Sequence, residues 1–272
     1  MASDVFSDVL VLWDVDHTLL NAGPVGRVSY ELALREVFGR ELPPVMVSMA
    51  GRTDRAIAVD VLLAAGIPDP RAVIDTFQAA QARHAPGLAA RIRAHGRVLP
   101  GALETIAALA AGRPGVRVIQ SVLTGNLRAI ADVKLGSLGL TGYLDLDAGA
   151  YGTESEVRAD LVPVARRLAG ARYAADFSGA ATVLVGDTPL DIEAALATGA
   201  RAVGVATGSF TLADLRAAGA HSVLRDLTSP ADSLAAILSG PVARLRPPVR
   251  PAAHSAQRRD RRGEPSPPAP VT

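Results

Sequence analysis

The sequence predicts an α/β protein: one parallel sheet with helices on both faces, plus a small all-helical unit inserted after the first strand. Two observations predict it. Apolar runs of strand length, at residues 9–13, 116–123 and 182–185, recur between segments of helical periodicity. Their unbroken apolarity fits strands covered on both faces. The stretch 21–97 carries helix signals and no strand signal, and it is far too long for an ordinary connection between a strand and the next helix.

Taken in order, the first strand covers residues 9–13 and ends on Asp14 and Asp16. Residues 24–38 place Val28, Leu32 and Val37 among charged residues and stop at Gly39; the next helix, 54–65, closes at Gly66. Residues 71–95 form a third helical stretch that Pro86 must kink or split, because proline lacks the amide and clashes with the preceding turn. The sheet resumes after Pro100-Gly101, with a helix at 102–111, a strand at 116–123 ending on Thr124-Gly125-Asn126, a helix at 127–138 and a short strand around 143–146. A polar loop, 149–158, leads to a helix at 160–169. The strand at 182–185 ends on Gly186-Asp187-Thr188-Pro189-Leu190-Asp191, a helix follows at 192–198, and strands are expected at 202–205 and 222–224. Such alternation implies parallel strands with right-handed crossovers. The expected organisation is a core from 1–20 and 98–240, a helical unit at 21–97 and a tail at 241–272. In the tail eight prolines and seven arginines share 32 residues, a composition that predicts disorder.

Composition excludes several classes. With no cysteine there is no disulfide, thiolate catalysis or cysteine-ligated zinc, and the five histidines lack the paired spacing of a zinc site. No apolar run approaches the roughly 18 residues of a membrane span, and the N-terminus lacks a basic leader start, so a cytoplasmic protein without a membrane partner is expected. The net charge is +1, but the tail holds seven arginines against Asp260 and Glu264 and so carries +5, leaving −4 on residues 1–240. A mildly acidic body argues against nucleic acid as its ligand, since duplex binding rests on clustered cations. No Gly-x-Gly-x-x-Gly follows the first strand, which disfavours a dinucleotide-binding dehydrogenase.

The chemistry gathers at strand ends. Side chains alternate along an extended chain, so Asp14 and Asp16 project to the same side. Their repulsion calls for a cation, a proton or an active role, and strand-end carboxylates in an open sheet lie in the ligand crevice. Thr124 and Asp187 could each be an ordinary helix cap when taken alone. The three acidic or polar strand ends together point to one site along one edge of the sheet.

Asp14-Val15-Asp16-His17-Thr18, Thr124 and Gly186-Asp187-Thr188-Pro189-Leu190-Asp191 resemble the first, second and fourth motifs of the haloacid dehalogenase-like superfamily, over about residues 8–240. The resemblance implies a Rossmann-like core, a cap domain and Mg²⁺-dependent phosphoryl transfer. The helical insertion resembles the cap between the first two motifs of phosphoglycolate phosphatase-like members, and Gly51-Arg52-Thr53-Asp54 resembles one of its segments. By this resemblance Asp14 is the nucleophile that forms an aspartyl-phosphate, and Asp16 is the general acid and base. A carboxylate approaching a phosphate faces repulsion on the order of 4 kcal/mol per charge pair at an effective dielectric near 20. Mg²⁺ answers that need as a hard cation held by carboxylates and phosphate. Its expected ligands are Asp14, the backbone carbonyl of Asp16 and Asp187, with Asp191 in the outer shell.

Thr124, Gly125 and Asn126 are expected to hold phosphate oxygens, compatibly with a helix N-terminus. The third motif usually supplies a lysine. Here the matching position holds Arg158, while the sole lysine is Lys134, on the helix after Thr124. Arg158 is favoured, with Lys134 as the alternative. Arg52 is either a contact to an anionic group on the substrate or a surface ion pair. His17 stands where the family often has glycine and is given no role. The expected function is Mg²⁺-dependent hydrolysis of a small phosphorylated metabolite. The alternatives are a phosphomutase of the same architecture and a non-catalytic phospho-accepting or binding module.

Overall fold

Along β1 (Ser7–Trp13), Val9, Val11 and Trp13 face one side and Leu10 and Leu12 the other, and all five are fully buried. Each such side chain contributes about 1.5–3 kcal/mol of burial free energy. The computed structural model describes residues 7–41 and 48–239; the expected tail at 241–272 lies outside them.

After β1 come β2 (Leu20–Asn21), α1 (Gly26–Phe38), α2 (Asp54–Ala64), α3 (Pro70–His84), a 3-10 turn at Ala85–Leu88, α4 (Ala89–His95) and β3 (Arg97–Val98). Then follow α5 (Ala102–Ala110), β4 (Val116–Val122), α6 (Arg128–Ser137), α7 (Leu161–Tyr173), β5 (Thr182–Gly186), α8 (Pro189–Ala197), β6 (Arg201–Val205), α9 (Leu212–Ala217), β7 (Ser222–Leu224) and α10 (Pro230–Leu238). The expected α/β class holds: β4, β1, β5, β6 and β7 form a five-stranded sheet in that order, all pairs parallel. The chain passes from β1 to β4 on one side and then crosses to β5 on the other. That reversal opens a crevice at the carboxyl end of β1, where open α/β sheets take ligands.

One apolar cluster covers each face of the sheet, α5, α6 and α10 contributing to the first and α7, α8 and α9 to the second. A third cluster, with Tyr30, Leu34, Ile57, Leu62, Ile74 and Phe77, holds α1, α2 and α3 together. Pro86 ends α3, as expected, and turns the chain through the 3-10 segment. Past it, Leu88 and Ile92 pack in the sheet's first cluster, not in the cluster of the inserted helices.

Two expectations need correction. The insertion does contain strand: β2 and β3 pair antiparallel at its base, Leu20 with Val98 and Asn21 with Arg97. Each is two residues long, below the length at which a periodic pattern can register. The strand expected around 143–146 is instead two 3-10 turns, Thr141–Tyr143 and Leu146–Ala148. Asp145 caps the second by accepting the Asp147 amide at 3.1 Å, a local bond that competes with extension. The segment still follows the sheet edge, the amides of Asp145 and Ala150 donating to the carbonyls of Gln120 and Val122. No helix among the described residues is long and apolar enough to cross a membrane.

Candidate active site

Register aligns the strand ends. Trp13 pairs with Val122 on one side and Val185 on the other, so the next few residues of β1, β4 and β5 emerge together. Asp14, Thr124 and Asp187 therefore meet. They line one cavity of about 270 Å³ together with Asp16, Asn126, Lys134 and Arg158. The insertion closes its other side through Val25, Tyr30, Arg52, Asp54 and Ile57.

Asp14, Asp187 and Asp191 are all buried, with one carboxylate oxygen from each lying within 4.8 Å of the others. Asp191 is held by the capping box of α8: its Oδ2 accepts the Thr188 amide at 3.0 Å and hydroxyl at 2.7 Å. The Thr18 hydroxyl is shared between Asp14 Oδ2 at 3.4 Å and Asp187 Oδ1 at 3.3 Å. Gly208 lies so close that an added Cβ would stand 1.8 Å from Asp187 Oδ2, so a side chain there would displace the carboxylate.

Arg158 occupies the cation position at this cluster. Its Nη2 lies 2.6 Å from Asp14 Oδ1 and 2.6 Å from Asp191 Oδ1, and it donates to the Leu123 carbonyl at 3.2 Å; Nη1 donates to Gly51 at 3.2 Å. A planar fork with several donors can serve all of these, which a lysine could not. The flanking carboxylates overcome burial and hold its guanidinium pKa above the ordinary value.

The cluster remains over-charged despite Arg158. Burial pushes the Asp14 carboxyl up to about 7, against the pull of Arg158, and burial with the charges of Asp14 and Asp191 pushes Asp187 up to about 8. Asp187 has no ion pair among the described residues; the Thr18 hydroxyl is its hydrogen-bond donor. Three buried oxygen donors with a shortage of positive charge suit a hard divalent cation such as Mg²⁺ and offer nothing to a thiophilic metal.

Lys134, expected as either the third-motif cation or a solvated face, is 4% exposed and sits elsewhere in the same cavity. Its Nζ donates to Asp16 Oδ2 at 2.6 Å and to Asn126 Oδ1 at 2.7 Å. Asn126 Nδ2 donates to Asp16 Oδ2 and to Thr124 Oγ1, each at 2.7 Å. Burial works to raise the Asp16 carboxyl, but Lys134 and Asn126 outweigh it and hold it below the ordinary carboxylate range. The two carboxylates at the end of β1 thus have opposite environments.

The segment Gly51-Arg52-Thr53-Asp54 lies on the loop after β4. The Asp54 amide donates to Gly125 at 2.6 Å, the Arg55 amide to Gly152 at 3.0 Å, and Asp54 Oδ2 accepts the Leu127 amide at 2.7 Å. The contact is so close that a Cβ on Gly125 would stand 2.0 Å from the Arg52 carbonyl. Tyr30 donates its hydroxyl to Asp54 Oδ1 at 2.7 Å, and burial raises the Asp54 pKa in spite of these donors. The Arg52 side chain lines the cavity, but its guanidinium pairs with Asp60 at 2.8 Å and donates to the carbonyls of Ser48 and Ala56. His17 takes a left-handed φ of 61°, a conformation glycine adopts without strain.

Sequence reasoning missed Asp54, Tyr30 and Thr18 as site residues. Thr53-Asp54 is legible as a helix start, but Asp54's bond to Leu127 joins positions 73 residues apart and leaves no local signal.

A model described as haloacid dehalogenase-like hydrolase matches residues 11–196. The chain is 30% identical over 253 residues to "Probable phosphatase IndB" of Dickeya dadantii (strain 3937), covering 86% of this chain and 97% of that protein. Among solved structures, a hydrolase from Pseudomonas syringae is similar with a TM-score of 0.56 at 19% identity, over 81% of this chain and 94% of the other. One described as a predicted phosphoglycolate phosphatase from Haemophilus somnus 129pt gives 0.54 at 18%, over 84% and 97%.

Proposed function

Because the chain belongs to the haloacid dehalogenase-like hydrolases, we propose that it is a divalent-metal-dependent phosphatase that hydrolyses a small phosphomonoester through an aspartyl-phosphate on Asp14. The observation that carries this reading is the buried Asp14–Asp187–Asp191 cluster with Arg158 against it, at the floor of a cavity that also receives Asp16. On this reading Asp14, Asp187 and the backbone of Asp16 hold Mg²⁺, with Asp191 one layer out. When bound, the cation would neutralise the carboxylates and the incoming phosphate.

Arg158 keeps Asp14 in place and balances charge on the transferring group. Thr124 and the amides that follow hold phosphate oxygens. Asp16 gives a proton to the leaving oxygen and takes one from water in the second transfer. The inserted helices act as a cap that excludes bulk water while transfer proceeds. A cavity of about 270 Å³ lies at the lower end of ligand-pocket sizes, which favours a small metabolite. Arg52 is a substrate contact only if it exchanges Asp60 for an anionic group. A cytoplasmic setting is part of the proposal and is tested by fractionation.

The test is phosphate release over a panel of small phosphomonoesters, with Mg²⁺ or with chelator. Release that requires Mg²⁺ and vanishes in Asp14→Asn is expected. Equal release by wild type and Asp14→Asn on every ester overturns the reading; isomerised ester without free phosphate replaces it with a phosphomutase.

A further inference from the structure

The acid–base carboxylate has two unlike oxygens. Oδ2 of Asp16 accepts from both Lys134 Nζ and Asn126 Nδ2, at 2.6 and 2.7 Å, whereas Oδ1 accepts no hydrogen bond from the described residues. The Asp16 side chain is 34% exposed and lines the cavity, so Oδ1 is the oxygen left open to a ligand or water.

The two donors also brace each other. Asn126 Oδ1 accepts from Lys134, and the same amide's Nδ2 reaches both Asp16 and Thr124. An amide joined at both ends and an ammonium 5% exposed in its side chain leave the Asp16 carboxylate little freedom to rotate. Lys134 stands in the last turn of α6, eight residues beyond Asn126, which immediately precedes the N-cap Leu127, so about two turns of one helix fix the spacing between the two groups.

We propose that Lys134 and Asn126 form a two-donor clamp on Oδ2 of Asp16 that aims Oδ1 at the leaving oxygen and makes it the proton-carrying atom. Lys134 is then a positioning residue for proton transfer, a task separate from that of Arg158 at Asp14. In the first transfer the O–H bond of the Oδ1 acid breaks as the ester oxygen leaves phosphorus and takes that proton. In the second, Oδ1 accepts a proton from the attacking water. The inference rests on the acid–base role given to Asp16 under the proposed function.

The experiment compares two probes, para-nitrophenyl phosphate, whose leaving phenolate departs without a proton, and glycerol phosphate, whose alkoxide needs one. Lys134→Met and Asn126→Leu are each measured beside wild type and Asp16→Asn, after circular dichroism has shown that they fold. The clamp predicts that in both variants kcat/KM, which reports only the steps up to release of the leaving group, falls by about thirtyfold more on glycerol phosphate than on the aryl ester, with Lys134→Arg recovering part of that difference. Equal losses of kcat/KM on the two esters in both folded variants overturn it, because a structural defect would not discriminate leaving groups. If Asp16→Asn itself fails to discriminate, the acid–base reading falls instead.

A readout free of turnover uses the fact that Lys134 is the only lysine of the chain. In the clamp its labelling by an amine-reactive reagent is much slower than that of N-acetyl-lysine amide and accelerates in Asn126→Leu. Labelling of wild type as fast as the free amine overturns the clamp.

Discussion

Adding a divalent cation to the metal-free protein near neutral pH is expected to release protons, and the amount follows from the carboxylate cluster. Asp14 is pushed up to about 7 and Asp187 to about 8, in each case by burial first, with neighbouring Asp191 adding to both. At pH 7 the two together therefore hold roughly one to one and a half protons that ordinary carboxylates would have lost. A cation bound by both must displace them, because only the ionised form coordinates.

The assay is calorimetric titration with Mg²⁺ in two buffers of different ionisation enthalpy. The difference in heat counts protons: about one to one and a half per chain at pH 7 and close to none at pH 9.5, where both groups are already ionised. Asp187→Asn should lose the larger share.

Stability carries the same signature with a definite sign. The folded pKa values lie above the unfolded ones, so the native state of the metal-free protein holds protons the unfolded chain has released. Its stability is therefore greatest below about pH 4 with respect to these groups and falls as pH rises toward 8, by at most about 1.4 kcal/mol per pH unit for each group. Bound cation should abolish that slope. Mg²⁺ binding at pH 7 with no buffer-dependent heat, in wild type as in Asp187→Asn, would refute the reasoning that the cluster is short of positive charge.

Two further outcomes test the geometry. Arg158→Met leaves Asp14 and Asp191 buried without their guanidinium and should cost about 3–5 kcal/mol in denaturant melts without metal. Arg158→Lys keeps the charge but loses the fork, and should cost about 1–2 kcal/mol through unmet hydrogen bonds. Equal stability of all three proteins would show that the pairing contributes nothing. His17→Gly relieves a left-handed conformation worth about 1–2 kcal/mol and adds unfolded-state freedom worth about 0.4–1 kcal/mol, for a net gain of between about 0 and 1.6 kcal/mol. A lowered melting temperature would mean that the His17 side chain itself holds the turn.

What the sequence determined by itself was the sheet and its acidic edge. Runs such as Val9 to Trp13 specify a strand buried on both sides wherever the rest of the chain goes, and Asp14, Thr124 and Asp187 are legible because each follows such a run directly. Pro86 and Gly39 likewise act within one turn of themselves, so their effects are local and predictable; the Thr188–Asp191 capping box acts over the same range, yet the helix expected from residue 192 begins at Pro189. Helices α9 and α10 went unseen although Thr211-Leu212-Ala213-Asp214 and Ser229-Pro230-Ala231-Asp232 carry the same kind of start signal.

Only the tertiary structure decided how the cations are shared. Arg158, at the position matching the third motif, was favoured to serve Asp14, but nothing local to the chain excluded Lys134. The distinction comes from packing: the turn before α7 delivers Arg158 between Asp14 and Asp191, while α6 carries Lys134 to Asp16. The resemblance picked out the segment ending in Asp54, but what Asp54 binds was illegible for the same reason, since its bond to Leu127 exists only once the inserted helices lie over the loop after β4. Electrostatic partnership depends on distances across the fold of a few ångströms, and those are set by the joint placement of elements far apart in the chain.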